Sequence, residues 1–192
     1  MNIFKKMTVR ELSLAAGLAS ISAATQLIHI GYQSPTWGMW IDVVAISWII
    51  AFFLFGVRGS LLVSLVGALI ITLFAPDTWL GASMKWIATL PTWFTLFFYV
   101  YIKKEKIEIY KNWKNLIIPI FAGIILRSAL VIPLNYYYAI PIWTGMTPVQ
   151  AIAAIPWWII FIFNAIQAII DVLVAWFIVF RFKIDRYASW YK

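Results

Sequence analysis

The sequence predicts an all-α integral membrane protein. Apolar residues make up 64% of its 192 positions and charged residues only 11%, whereas about a quarter of a soluble domain is charged. Six apolar stretches are long enough, or nearly so, for a bilayer core that needs about 20 helical residues. Basic residues lie mostly at the ends of these stretches. We therefore expect six transmembrane helices that form a single domain over residues 1–192.

The six predicted spans follow one another with short connections. Their approximate bounds are 8–28, 40–55, 60–74, 83–102, 116–138 and 148–180. The second and third are short, and the segment Gly56-Val57-Arg58-Gly59 between them is typical of a tight turn. A single helix through both would bury Arg58 near its centre, which is costly in lipid. Two helices joined by a turn are therefore expected.

The distribution of basic residues predicts the orientation. If the N-terminus is cytoplasmic, thirteen of the fifteen basic residues face the cytoplasm, namely Lys5, Lys6, Arg10, Arg58, Lys103, Lys104, Lys106, Lys111, Lys114, Arg181, Lys183, Arg186 and Lys192. The outer connections contain His29 and Asp77 but almost no basic residue. The positive-inside rule thus places both termini in the cytoplasm of a multi-pass protein of the plasma membrane. It also explains the net charge of +8 without a nucleic-acid partner.

Composition excludes several kinds of chemistry. There is no cysteine, which removes disulfides, thiolate catalysis and Cys-ligated metals. His29 is the single histidine and cannot form a His-based metal site alone. No couple of catalytic side chains shares a depth in the predicted spans, so we expect no catalytic residue, no metal and no enzyme activity.

Two charges deep in the predicted spans lie at matching depths. Arg127 is eleven residues after Leu116, about 16 Å along a helix, and Asp171 is ten residues before Arg181, about 15 Å. An unpaired charge there would cost about 3 kcal/mol or more. We expect Arg127 and Asp171 to form a structural ion pair between the fifth and sixth helices.

Other polar residues fall in the outer half of the membrane. They are Asp42, Lys85, Asn135, Asn164 and Gln167, and many rings accompany them, among them Trp86, Trp93, Tyr136, Tyr137, Tyr138, Trp157, Trp158 and Phe161. A few polar groups among rings are typical of a pocket for a flat, partly apolar ligand. An aromatic belt with amide hydrogen bonds between helices is the alternative. The outer segments 30–39 and 139–148 contain Gly, Pro and Trp and are either interfacial turns or loops that cover a ligand.

The first helix carries a stripe of small residues. Ala15, Ala19 and Ala23 repeat every four positions, with Ala16, Ser20 and Ala24 one step round. Such a stripe lets another helix approach closely. The neighbour is either a helix of the same chain or a partner subunit that docks there.

Taken in order, these features resemble the S components of energy-coupling factor (ECF) vitamin transporters, most closely the riboflavin-binding branch. The resemblance is carried by Ile41-Asp42 and the segments 55–59, 85–89, 127–141, 155–156 and 163–167, together with the Ala15, Ala19, Ala23 stripe. No one of these motifs is specific, but their order and six-helix frame together are. The resemblance implies capture of a vitamin from outside and delivery with a transmembrane coupling subunit and two ATPases. The chain has no Gly-x-x-x-x-Gly-Lys-Ser/Thr loop, so ATP would be used by the partners only, and no cofactor is expected.

The resemblance also implies roles for individual residues. Asn135, Asn164, Gln167 and Lys85 would form hydrogen bonds with the ligand, Asp42 would belong to the same site, and Trp86 and Tyr136 would contact the ring face. The Ala15, Ala19, Ala23 face would dock on the coupling subunit. Gln167 stands where the family usually has lysine, and Lys85 where it usually has asparagine. Either a cation has moved to the other wall of a riboflavin pocket, or the ligand is another vitamin or precursor. A stand-alone channel or secondary carrier is the further alternative.

Overall fold

The structure, a computed structural model, describes residues 7–28, 30–74 and 79–188. Helices make up most of these residues, in agreement with the predicted all-α class. They are α1 Val9–Leu27, α2 Val44–Phe74, α3 Trp79–Lys103, α4 Ile117–Leu134, α5 Ile140–Thr144, α6 Pro148–Ala154 and α7 Trp157–Trp176. Five residues used in the topology prediction, Lys5, Lys6, His29, Asp77 and Lys192, lie outside the described residues.

The outer surface of the helices is suited to lipid. Within the described part of the chain, three stretches are long and apolar enough to cross a membrane: Val44–Phe74, Trp113–Thr144 and Trp157–Arg181. Large apolar side chains point outward from them, and Leu73 is 75% exposed and Phe121 66%. Soluble monomers rarely leave such extensive apolar surface in water. The chain is therefore a membrane protein.

Helix α2 consists of two arms that fold back on each other at Gly56. Gly56 has φ 74° and ψ −161°, a backbone conformation that is essentially restricted to glycine. Ser60 Oγ donates a hydrogen bond to the carbonyl of Trp48 at 2.9 Å, although twelve residues of straight helix would separate the two by about 18 Å. The predicted break between the second and third apolar stretches is thus at Gly56.

Residues 40–42, directly ahead of the first arm of α2, are not helical, contrary to the prediction of a span from residue 40. Trp40–Asp42 forms strand β2, which pairs antiparallel with strand β1, Gly31–Gln33. Gly31 lies opposite Asp42, and a side chain at Gly31 would collide with the backbone of Ile41 and Asp42. The segment predicted as the first outer loop is therefore a β-hairpin, and the helix begins at Val44.

Two other predicted boundaries are wrong. The fifth helix does not end before a loop at residue 139, because a π-helical segment, Asn135–Ala139, joins α4 to α5. The Ile140 N–H bonds the Asn135 carbonyl, which shifts the hydrogen-bond register just before Pro141 and lets the helix continue past it. The sixth span is not one helix, because extended Ile155 and Pro156 separate α6 from α7, as expected for a residue that precedes proline.

Helix α1 packs mainly against α2. Ala15, Ala19 and Ala23 are all at most 4% exposed, and Ser22 lies close enough to Gly67 to leave no room for a side chain there. The small residues of this stripe serve close packing within the chain. The prediction that Ala15, Ala19 and Ala23 dock a partner subunit is therefore corrected, since their side chains are already covered.

The two ends of the helical bundle differ in charge. At one end the turn at Gly56 lies beside Ile107. The Cδ1 atom of Ile107 is 3.8 Å from the position that a Cβ on Gly56 would take. Trp176 donates to the Tyr110 carbonyl at 2.7 Å, and Lys111 pairs with Asp185 at 3.5 Å, so the basic segments 103–114 and 181–186 meet there. Burial raises the pKa of the Tyr110 phenol, which remains a donor to the Leu96 carbonyl. The β-hairpin lies at the opposite end.

Candidate ligand-binding cavity

A cavity of about 460 Å³ lies next to the β-hairpin. This volume falls within the range of about 300–1,000 Å³ that is usual for small-molecule sites. Its aromatic lining includes Trp37, Trp40, Trp79, Trp143 and Phe163, and its polar lining includes Gln26, Lys85, Arg127, Asn135, Asn164 and Gln167. Aromatic walls with a few polar groups suit a flat, partly apolar molecule.

Four of the predicted ligand-binding residues line this cavity: Lys85, Asn135, Asn164 and Gln167. They come from α3, from the π-helical segment and from α7, so residues far apart in the sequence line the same cavity. The sequence prediction had located them in the outer half of the membrane. The structure brings these four together around one space.

Trp86 and Tyr136, which were predicted to contact the ring face of the ligand, do not line the cavity. Trp86 points away from the cavity and donates from Nε1 to Ser64 Oγ at 3.1 Å. Tyr136 is buried, and its hydroxyl donates to the Ile155 carbonyl at 2.7 Å. Each follows a cavity residue by one position, which turns its side chain about 100° round the helix. The assignment of Trp86 and Tyr136 to the ligand site is therefore corrected.

Three of the rings that line the cavity lie in segments outside the long helices. Trp37 and Trp40 belong to the β-hairpin, and Trp143 lies in α5. Gly38, with φ 64°, sits against the Trp143 ring, where an added Cβ would lie 3.1 Å from Cη2. The β-hairpin therefore touches α5 above the cavity. The sequence signal for Trp37 and Trp143 was their position in the outer segments 30–39 and 139–148, whereas Trp40 stood at the predicted start of the second span.

Asp42 stands behind the cavity wall rather than on it. Its backbone belongs to β2, and the residue is 7% exposed. Oδ2 accepts from the Lys85 ammonium, and Oδ1 accepts from the Val44 N–H at 2.9 Å. One carboxylate thus holds Lys85 in place and also binds an otherwise unpaired donor at the start of α2. Asp42 acts on the site through Lys85.

Gln167 joins the β-hairpin to α7 through three hydrogen bonds. Its Oε1 accepts from the Asp42 N–H at 2.9 Å, and its Nε2 donates to the Asp42 carbonyl at 2.8 Å. The second Nε2 hydrogen is donated to Asp171 Oδ1 at 2.7 Å. Both amide hydrogens are used, so Gln167 positions the site and has no donor left for a ligand.

Arg127 and Asp171 lie together in the bundle, 3% and 0% exposed. Arg127 Nη1 is 3.7 Å from Asp171 Oδ2, and Arg127 Nε donates to Asn164 Oδ1 at 2.9 Å. Among the described residues, neither Nη1 nor Oδ2 has a hydrogen-bond partner. Arg127 also lines the cavity, so its role extends beyond the structural pair predicted from the sequence.

Asn135 offers the cavity an acceptor. Its Nδ2 donates to the Val131 carbonyl at 2.9 Å, while its Oδ1 bonds none of the described residues. Because Asn135 lines the cavity, this oxygen and the second amide hydrogen are available to a ligand.

Comparison with known proteins supports the architecture. The sequence matches no family model, and no curated protein matches it. Among solved structures, it is similar to the S component of a bacterial ECF transporter, with a TM-score of 0.71 and 21% sequence identity. The match covers 92% of this chain and 96% of that chain. The chain therefore has the fold of an ECF-transporter S component.

Proposed function

We propose that this chain is the membrane-embedded, vitamin-binding subunit of an ECF-type importer. The observation that carries the proposal is the cavity with aromatic walls and polar groups beside the β-hairpin, within a fold shared with an S component. The chain itself would perform no catalysis and hold no cofactor. A transmembrane coupling subunit and two ATPases would supply the energy from ATP.

The proposed orientation has six spans and both termini in the cytoplasm. The six segments would be α1, the two arms of α2, α3, α4 continued through α5, and α7. The basic segments 103–114 and 181–186 meet at the end away from the β-hairpin, and the positive-inside rule assigns that end to the cytoplasm. The cavity then lies on the outer side, where a ligand would be captured in the plasma membrane.

Riboflavin is the first ligand to test, and another vitamin or precursor is the alternative. We expect the full chain, purified in detergent without added ligand, to be yellow with a flavin absorption spectrum. Replacement of Asn135 by leucine should weaken riboflavin binding by about tenfold, because one hydrogen bond is worth about 1–1.5 kcal/mol. Isothermal titration of flavin-free protein measures both affinities.

The control for this experiment is Tyr137→Leu, at a neighbouring position that is 68% exposed, which should bind riboflavin like the parent chain. Colourless protein that does not bind added riboflavin would exclude riboflavin while leaving a different vitamin open. Uptake into vesicles by this chain without partner subunits would favour a stand-alone carrier instead.

For the coupling subunit, the proposed docking face is the exposed side of α1. Ala16, Gly17 and Ser20 are exposed, and nothing lies within 4 Å of the Cβ position of Gly17. We expect Ala16→Leu to reduce co-purification with the coupling subunit without loss of ligand binding, because a larger side chain prevents close helix approach. Ala129→Leu, on an exposed face of α4, is the matched control and should assemble normally.

Ala19→Leu separates docking from folding. Ala19 is 1% exposed, so this variant should lose yield of folded protein rather than assembly alone. Normal assembly by folded Ala16→Leu protein would remove α1 as the docking face.

A further inference from the structure

The charges around the cavity cancel in two adjacent pairs. Among the described residues that line it, the ionisable ones are Lys85 and Arg127. Lys85 is paired with Asp42, and Arg127 lies 3.7 Å from Asp171 by its closest ionic atoms. Both carboxylates belong to the wall behind the cavity. A ligand that brings its own charge would find no free counter-charge in a low-dielectric region.

The groups with hydrogen-bonding capacity to spare are mostly donors. Gln167 has used its amide hydrogens, and Asn164 bonds Arg127 through Oδ1 and the Ile160 carbonyl through Nδ2. Lys85 has three N–H groups and Asp42 as its acceptor among the described residues. Arg127 uses Nε alone of its donors in a hydrogen bond within these residues. The cavity therefore presents donors on two cations whose charge is already neutralised.

We propose that the cavity selects an uncharged heteroaromatic ligand rich in hydrogen-bond acceptors, and that Asp42 is the residue that sets this charge preference. The proposal rests on the ligand-binding function proposed above and names the class of ligand. Carbonyl oxygens or ring nitrogens of the ligand would face Lys85 and Arg127. A carboxylate or phosphate would have to displace Asp42 from Lys85.

Asp42 rather than Asp171 is assigned because it is the carboxylate within reach of exchange. The side chains of Lys85 and Asp42 are 15% and 8% exposed, whereas that of Asp171 is 0% exposed. Asp171 is also held by Gln167. Loss of the Asp42 charge would leave Lys85 at the cavity without its ion-pair partner.

The test compares ligands that share a ring and differ in charge. The full chain in detergent is titrated with riboflavin, with 10-carboxymethylflavin and its uncharged amide, and with nicotinate and nicotinamide. We expect the uncharged member of a pair to bind about tenfold tighter or more, since close charge pairs couple by at least that much. Asp42→Asn, which keeps an oxygen for the Val44 N–H, should shift this ratio about tenfold or more toward the anion.

Lys85→Met provides the opposite variant. It leaves Asp42 without its cation and should raise the affinity for 10-aminoethylflavin relative to riboflavin without any gain for the anion. The double variant Asp42→Asn/Lys85→Met removes both charges and should return the preference to the uncharged flavin. Each variant is first checked for a single gel-filtration peak, and the Lys85→Met result stands if Asp42→Asn does not fold.

The outcomes separate this proposal from the function on which it rests. Tighter binding of an anion by the parent chain, or an unchanged ratio in folded Asp42→Asn, would overturn the charge assignment but leave ligand capture intact. Binding of nicotinamide but not riboflavin would support the charge assignment and exclude riboflavin. Binding of none of these compounds would overturn the proposed class of ligand while leaving capture of a different kind of vitamin open.

Discussion

Replacement of Asp171 by leucine is expected to prevent accumulation of folded protein. Arg127, which is 3% exposed, would then lie deep in the bundle without its carboxylate. Removal of one partner of a buried ion pair costs about 3–5 kcal/mol, because the other charge is left uncompensated. Gln167 would lose the acceptor for one amide hydrogen as well. The measurements are the yield of monodisperse protein in detergent and its thermal unfolding temperature.

The double variant Arg127→Met/Asp171→Leu is the matched control. Apolar replacement of a whole buried pair is often tolerated, so this variant should recover much of the lost yield. It should still bind ligand more weakly than the parent chain, because Arg127 lines the cavity. A single Asp171→Leu variant that is as stable as the parent chain would show that the pair has no structural role.

Replacement of Gln167 by methionine is expected to have the second large effect, on the attachment of the β-hairpin and on ligand affinity. The side chains have similar length, but methionine cannot replace the hydrogen bonds to the Asp42 N–H, the Asp42 carbonyl and Asp171. Each buried polar group left without a partner costs about 1–3 kcal/mol. We expect the β-hairpin to detach from α7 and riboflavin affinity to fall by about 100-fold or more.

Hydrogen exchange localises this effect. The amide hydrogen of Asp42 should exchange much faster in Gln167→Met, while those of α4 remain protected. Gln33→Met, at an exposed position of β1, removes a similar amide from the same β-hairpin and should change neither exchange nor affinity. Unchanged Asp42 exchange in Gln167→Met would mean that β2 alone holds the residue in place.

The sequence was sufficient for the parts of the structure that depend on local pattern. Apolar runs predicted the helices, and the glycine at position 56 predicted the break in α2. Helix arithmetic placed Arg127 and Asp171 at one depth, and the structure has them together. These inferences need only residue spacing and the cost of charge in lipid.

The errors come from features that spacing does not encode. Whether Ala15 or Ala16 faces a neighbour depends on how α1 is rotated against α2, which only tertiary packing decides. The rotation of α3 likewise placed Lys85 at the cavity and Trp86 at Ser64. Pro141 and Pro156 look alike in sequence, yet the helix continues through one and stops at the other because a π-helical segment precedes Pro141 alone.

The first arm of α2, Val44–Phe55, has a consequence for biogenesis. All twelve residues are buried, and at 1.5 Å each they extend about 18 Å, well short of a bilayer core of about 30 Å. This arm is too short to be stable as an isolated insertion segment. During synthesis it would enter the membrane together with the longer second arm, as a hairpin, and gain its final surroundings only when α3 and α7 have been made. Completion of the binding cavity thus waits for the synthesis of α7.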